Sequence, residues 1–206
     1  MSLFLPKLYP ITDVKISGLS HREQLERLAA GGATLVQLRD KISAARAFYE
    51  TALEAMAIAR KLGVRVIVND RVDIAMAVQA DGVHLGQDDL PPEYARSLMG
   101  DFKTIGLSTH NLEQVVEASL KAVDYIAVGP VFSTSSKQNP DPEVGLGLIR
   151  EVRARTSKPI VAIGGITLDR ARAVLAAGAD SLAVISDLVG AKDITQRVRE
   201  FIREMQ

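Results

Sequence analysis

Cysteine and tryptophan are both absent from this chain of 206 residues. Without cysteine there are no disulfides and no thiol chemistry, and a bound metal would rely on carboxylates and other oxygen donors. Aromatic residues make up only 4%, and neither sign of charge is in excess, with 25 Lys and Arg against 25 Asp and Glu. No basic tail or Lys/Arg block breaks that balance, so nucleic acid is excluded as an expected partner. Long hydrophobic runs are missing too. No stretch approaches the roughly 20 apolar residues of a membrane-spanning helix. The segment Met1 to Pro10 lacks the charged start and apolar core of a secretory signal. The expectation is a cytoplasmic protein with no membrane partner. A homo-oligomer is compatible with the sequence but not specified by it.

What is present is a repeating pattern. Hydrophobic residues reach 47%, enough for an ordered core in one domain spanning residues 1–206. Short β-branched runs alternate with helical spacing. Leu8–Asp13, Leu35–Asp40, Val64–Asp70, Val83–Gly86, Thr104–Thr109, Tyr125–Phe132, Ile160–Gly165 and Leu182–Ser186 are predicted strands. The helices predicted between and after them are Arg22–Ala30, Ala44–Leu62, Val72–Val78, Pro91–Met99, Asn111–Lys121, Gly147–Arg155, Leu168–Ala177 and Asp193–Met205. Gly63 stops one helix, while Asn111 and Thr167 stand where caps belong. The strands are almost continuously apolar, as strands buried on both faces are. The stretches GGATLVQL, QADGVHLG, KAVDYIAV and AGADSLAV echo one another, each with a small or acidic turn before a strand. Eight such units in 206 residues predict an α/β fold, a single (β/α)8 TIM barrel. A doubly wound open sheet is the alternative, but no G-x-G-x-x-G follows the first strand.

In such a barrel the reactive groups gather at the C-terminal ends of the strands. There the sequence places Gln37, Leu38, Arg39, Asp40 and Lys41; Asn69 and Asp70; Gln87, Asp88 and Asp89; Ser108, Thr109 and His110; GPVFSTSSK from 129 to 137; Gly164 and Gly165; and Ile185 and Ser186. Arg39, Lys41 and Lys137 are cations able to clamp a polyanion. Asp70 and Asp89 come from adjacent strands and, with substrate oxygens and water, make a recipe for Mg2+. Glycine turns and helix starts after the seventh and eighth strands suit a phosphate monoester. The layout implies two phosphorylated small-molecule ligands. Blander readings apply elsewhere. Asp73 lies in the first turn of a helix, Asp88 at a turn, His84 in the barrel interior, His110 on the surface at a helix start, and His21 before a helix at the other end of the barrel. None of the three histidines is therefore a strong general base.

The order LYPITD, VQLRDK, VNDRVDIAMAVQADGVHLGQDDL, IGLSTHN, YIAVGPVFSTSSK, VAIGGI and AVIS resembles the thiamine-phosphate synthase (thiamine-phosphate pyrophosphorylase) family along nearly the whole chain. The resemblance implies a (β/α)8 transferase. It would join hydroxymethylpyrimidine diphosphate to a thiazole phosphate, or its carboxylated form, releasing pyrophosphate. It further implies that Gln37, Leu38, Arg39, Asp40 and Lys41 hold the pyrimidine diphosphate together with Asn69, Ser108 and Lys137. Asp70 and Asp89 would hold Mg2+. Thr134, Ser135, Ser136, Gly165, Ile185 and Ser186 would hold the thiazole phosphate. The family's chemistry is dissociative, with the bond to pyrophosphate breaking before the thiazole nitrogen attacks. Arg39, Lys41, Lys137 and Ser108 would carry it. Neutralising a leaving group needs cations rather than a strong base.

One departure stands out. Members often show Thr-x-Thr-Lys where this chain has Thr134-Ser135-Ser136-Lys137, a change that keeps the hydroxyl and loses a methyl group. The loop from Gln138 to Val144, containing Asn139-Pro140-Asp141-Pro142, is read as a lid. Two alternatives share the barrel: a thiazole tautomerase, and a non-catalytic binder of thiazole or thiamine phosphates. The tautomerase typically has histidine where this chain has Pro130.

Overall fold

The structure is a computed structural model and describes residues 5–134 and 142–206. Eight parallel strands run β1 (Leu8–Pro10), β2 (Leu35–Leu38), β3 (Arg65–Asn69), β4 (Gly82–Leu85), β5 (Thr104–Thr109), β6 (Tyr125–Val128), β7 (Ile160–Ile163) and β8 (Ser181–Val184). They pair in the order β1-β8-β7-β6-β5-β4-β3-β2. Just past β1, Ile11 bridges to Gln37 and the Thr12 N–H donates to Gln37 O at 2.9 Å. That contact joins the two ends of the sheet into a ring, so the barrel prediction holds and the open sheet does not.

The helices are α1 (Val14–Ser17), α2 (His21–Gly31), α3 (Ala45–Leu62), α4 (Val72–Ala77), α5 (Pro92–Met99), α6 (Leu112–Leu120), α7 (Gly145–Arg153), α8 (Ala171–Ala176), α9 (Ser186–Val189) and α10 (Ile194–Glu204). Local chemistry sets many boundaries. Ser20 and Glu23 form a reciprocal capping box on α2, Asn111 accepts from Gln114 N to cap α6, and Asp193 accepts from Gln196 N to cap α10. Thr167 takes the expected cap position but makes no side-chain cap bond, and a 3-10 turn over Leu168–Arg170 precedes α8. None of the helices among the described residues is long and apolar enough to cross a membrane.

Strand alternation divides the core in two. Leu8, Val36, Leu38, Val66, Val68, Val83, Leu85, Ile105 and Leu107 point outward and pack against the helices. A smaller set fills the barrel itself: Tyr9, Ile11, Leu35, Ile67, Tyr125, Ala127, Val161 and Ala183. The inner positions of β4 and β5 differ, being His84 and Gly106, which sit in register beside each other and beside Tyr125.

Several predicted strands run too long at their C-terminal ends. Residues 129–132 leave the sheet after β6. Gly164 (φ +103°) and Gly165 (φ +59°) turn away after β7, and Ser186 begins α9 rather than ending β8. Asp13 likewise leaves β1 to cap α1. At each of these points the chain opens out around one mouth.

Candidate active site

A cavity of about 560 Å3 lies at that mouth. Its wall takes Gln37, Arg39 and Lys41 from the end of β2, Asn69 and Asp70 from β3, and Asp89 from the loop after β4. Ser108 comes from β5, Thr134 from the segment after β6, Gly165 from β7, and Ile185 and Ser186 from β8 and the start of α9. Pattern reading had placed all of these at strand ends.

Two expected residues are not brought to the cavity. Leu38 is fully buried, and alternation turns its side chain outward into the helix layer. The Asp40 carboxylate folds back on its own loop, accepting from Ile42 N at 3.0 Å and Ser43 N at 2.9 Å. Burial raises its pKa, but the hydrogen bonds from Ser43 and Ile42 outweigh that and leave it below the ordinary carboxylate value. Ser135, Ser136 and Lys137, with residues 138–141 of the expected lid, lie outside the described residues. The rest of that loop is tied to the end of β6. Ser133 N donates to Glu143 Oε2 at 2.9 Å, and Val144 N donates to Pro130 O at 2.9 Å.

The cations and carboxylates interlock. Arg39 Nη1 reaches Asp13 Oδ2 at 2.5 Å, with both side chains largely buried. Asp13 also accepts from Ile16 N at 3.1 Å, so one carboxylate caps α1 and orients Arg39. Asp13 ends the LYPITD stretch, where the sequence pattern carries no sign of this role. Lys41 Nζ contacts Asp70 Oδ2. Asp70 adopts φ +63°, a left-handed conformation that asparagine and aspartate tolerate best among residues other than glycine. Its N–H is anchored on His84 O at 2.7 Å. Asp89 Oδ2 accepts from Gly86 N at 2.7 Å. Burial first, and then the adjacent Asp70 carboxylate, push the Asp89 pKa up. Two carboxylates that repel each other across a partly dry wall are suited to sharing a dication. Among the described residues there is no cluster of three or more metal-binding side chains, so ligand oxygens would have to complete such a shell.

Asn69 is buried with its Nδ2 unpartnered among the described residues, on the cavity wall. Such an atom needs an acceptor from a ligand or water. On the opposite side, Gly165 closes against the segment after β6. A Cβ there would lie 2.4 Å from Ser133 O, so only glycine allows the close approach.

The histidines divide. His84 faces the barrel interior as expected, with Nδ1 2.8 Å from Tyr125 Oη and Nε2 2.9 Å from Ser108 Oγ. His110 is not simply surface. It lines the cavity, and its Nδ1 lies 2.6 Å from Gly129 O. His21 is not at the far end of the barrel. It is buried, with Nδ1 2.8 Å from Thr12 Oγ1 and Nε2 3.8 Å from Asp40 Oδ2. The reason is topological: in a βα unit the helix starts at the C-terminal end of its strand, so the first residue of α2 lies near the mouth rim. Burial lowers the His21 pKa against the opposing pull of Asp40. Gln87, Asp88 and Gln114 also line the cavity. Gln87 and Asp88 stand after β4, at one of the strand ends the sequence points to; Gln114 lies in α6, and its polar type gives no signal beyond that of any helix residue.

Comparison with known proteins follows the same line. The sequence model of the family described as thiamine monophosphate synthase matches residues 8–188. The chain is 47% identical over 195 residues to the thiamine-phosphate synthase of Chloroflexus aurantiacus, covering 94% of this chain and 90% of that protein. It is 48% identical over 208 residues to the thiamine-phosphate synthase of Koribacter versatilis, covering 98% and 96%. The solved structure of thiamine phosphate pyrophosphorylase from Pyrococcus furiosus superimposes with a TM-score of 0.87 at 38% identity, covering 96% of this chain and 94% of that one.

Proposed function

The chain belongs to the thiamine monophosphate synthase family and carries its thiamine-phosphate synthase activity, a transferase reaction; from that premise we propose how its own residues divide the work. The pyrimidine diphosphate lies along the β2–β5 side of the mouth. Arg39 and Lys41 face its charge, the Asn69 amide supplies the donor that is otherwise unpartnered, and Gln37 and Ser108 contact the ring. The thiazole phosphate lies on the opposite side, against Thr134, the Gly165 turn and the N–H groups at Ile185 and Ser186. Asp70 and Asp89 fit a magnesium ion, since their mutual repulsion is relieved by a shared cation and Asp70 already faces the Lys41 ammonium. Bound there, Mg2+ supplies charge neutralisation for the diphosphate.

The reaction then needs little proton chemistry. The pyrimidine methylene carbon loses pyrophosphate, and its bonding electrons leave with the oxygen. Arg39 and Lys41 stabilise that departing charge where it develops. The thiazole nitrogen, held on the same axis, supplies the new bonding pair. Holding the two reactants in one cavity is itself a large part of the rate. Lys137, outside the described residues, is assigned to the departing pyrophosphate by its place in the same motif.

The observation that carries this reading is the sharing of one cavity by the cation pair, the carboxylate pair and the glycine turn. Pro130 on the cavity wall, rather than histidine, weighs against the tautomerase alternative. The test is a split in steady-state constants. Arg39→Ala raises KM for the pyrimidine diphosphate by roughly tenfold or more, as loss of a charged hydrogen bond does, and leaves KM for the thiazole phosphate nearly unchanged. Thr134→Val, which removes a hydroxyl on the opposite side, does the reverse with a smaller effect. Equal effects on both substrates from either variant would contradict the division.

A further inference from the structure

Polar side chains from five strands link hand to hand across the barrel floor. Gln37 Nε2 donates to Tyr9 Oη at 3.0 Å, and Tyr9 Oη lies 3.1 Å from Tyr125 Oη. Tyr125 Oη lies 2.8 Å from His84 Nδ1, and His84 Nε2 lies 2.9 Å from Ser108 Oγ. Gln37, Tyr9, Tyr125 and His84 are all buried. Gln37 and Ser108, the two ends, line the cavity, as does His84 beside Ser108, whereas Tyr9 and Tyr125 do not. The path is held by packing as well. The His84 and Tyr125 rings stack with centroids 5.5 Å apart, and Tyr9 meets Tyr125 edge-on at 6.1 Å. Gly106 leaves the space for the Tyr125 ring, since a Cβ there would lie 2.0 Å from Tyr125 Cζ.

The Gln37 amide, with its Nε2 turned toward Tyr9, sets the direction of the chain. Burial raises the pKa of both phenols, so each keeps its single proton. Tyr9 accepts from Gln37, so its own proton must go to Tyr125. Tyr125 must then give its proton to His84 Nδ1. An imidazole that accepts at Nδ1 carries its proton on Nε2, which points at Ser108 Oγ. A doubly protonated His84 would set two donors against each other further along the chain. Ser108, already an acceptor, has its own proton to offer to the cavity. Gln37 spends one of its two amide N–H groups inward, which turns its carbonyl oxygen toward the cavity beside the second N–H. The mouth therefore presents an acceptor at Gln37 and a donor at Ser108. No single link can reverse alone; the whole chain flips or none of it does.

We infer that Tyr9, Tyr125 and His84 form a positioning relay that couples the hydrogen-bond polarity of Gln37 to that of Ser108 and so selects an aminopyrimidine over an oxopyrimidine. A 4-aminopyrimidine edge offers an N–H donor beside a ring-nitrogen acceptor, the complement of this pair. The 4-oxo analogue offers a carbonyl acceptor beside a ring N–H donor, the inverse pattern. The inference rests on the reading of the β2–β5 side as the pyrimidine diphosphate site.

The test is equilibrium binding of the 4-amino and 4-oxo pyrimidine diphosphates by calorimetry, with Mg2+ and without thiazole phosphate. The wild type prefers the amino compound by roughly thirtyfold or more, the factor expected of two mismatched hydrogen bonds. Tyr125→Phe keeps the ring and removes the central link, and the preference falls to within about threefold. Tyr9→Phe cuts the relay on its other side and has the same effect. A purely structural role for these hydroxyls would lower thermal stability and weaken both ligands alike, and an unchanged ratio in either variant would overturn the inference. A 15N NMR tautomer assignment for wild-type His84 gives an independent readout. Protonation at Nε2 supports the relay, and a proton on Nδ1 overturns it. If the wild type bound neither pyrimidine, the placement of the pyrimidine site would itself be wrong, and the relay's selective role would fall with it. Binding of both without preference would sink the relay alone.

Discussion

Replacing Gly106 by alanine should damage the barrel floor through one identifiable contact. The added Cβ would lie 2.0 Å from Cζ, 2.4 Å from Oη and 2.5 Å from Cε2 of Tyr125. Ordinary carbon contacts are about 3.5–4.0 Å, so the ring must move by more than an ångström inside a packed interior. Overpacking of one methyl group costs about 1–3 kcal/mol. Moving the ring also strains the bonds of Tyr125 to Tyr9 and His84, and leaving a buried polar group unpaired costs about 1–3 kcal/mol. The expected total is about 2–6 kcal/mol, a large share of the ~5–15 kcal/mol of a typical domain. At about 2–4 °C per kcal/mol for a chain of this size, the melting midpoint falls by roughly 4–24 °C. Denaturant unfolding of four proteins measures this: wild type, Gly106→Ala, Tyr125→Val and the double variant. Removing the ring in advance should make the second substitution nearly neutral, giving a coupling energy of about 2 kcal/mol or more between the sites. A loss under about 1 kcal/mol for Gly106→Ala, or additive effects in the double variant, would refute the steric argument.

Three further outcomes are expected. Asp89→Asn should shift the Mg2+ titration of turnover upward by roughly tenfold, since one of two charged ligands is lost; an unchanged titration counts against the metal assignment. For His21 the sign runs from its lowered folded pKa. The unfolded chain binds the proton more readily, so stability is fully present above about pH 6.5 and is lost as the pH falls through the lower, folded value. Thermal midpoints of wild type and His21→Gln between neutral and mildly acidic pH should therefore diverge in slope, the wild type falling more steeply; parallel slopes would remove His21 as the cause. Lys137→Ala should lower turnover more than it weakens thiazole phosphate binding, and near-normal turnover would contradict its assignment to the departing pyrophosphate.

The barrel was legible because its strands are buried on both faces, which gives eight apolar runs at regular intervals. The mouth was legible because that fold fixes which strand ends converge. Apolar patterning could not show where each strand stops. Val131 is fully buried, yet it lies beyond β6, and Ile185 is as apolar as any strand residue while preceding α9. The short helix α1 was missed because four residues carry too little periodicity. Leu38 was placed with the site because it sits between Gln37 and Arg39, and strict alternation along β2 would have turned it outward. His21 was placed at the wrong end for want of the βα topology that brings a helix start beside the preceding strand's end. The Asp13–Arg39 pair and the floor relay are hidden because they join residues 24 to 116 positions apart, and spacing along a chain says nothing of contacts across a barrel.

The most direct measurement is pyrophosphate release by the purified protein with hydroxymethylpyrimidine diphosphate, thiazole phosphate and Mg2+, omitting each component in turn. If one mouth holds both phosphorylated substrates beside the carboxylate pair, release occurs only in the complete mixture and matches thiamine phosphate mole for mole. Steady release without the thiazole phosphate, or undiminished release without a divalent ion, would contradict that arrangement.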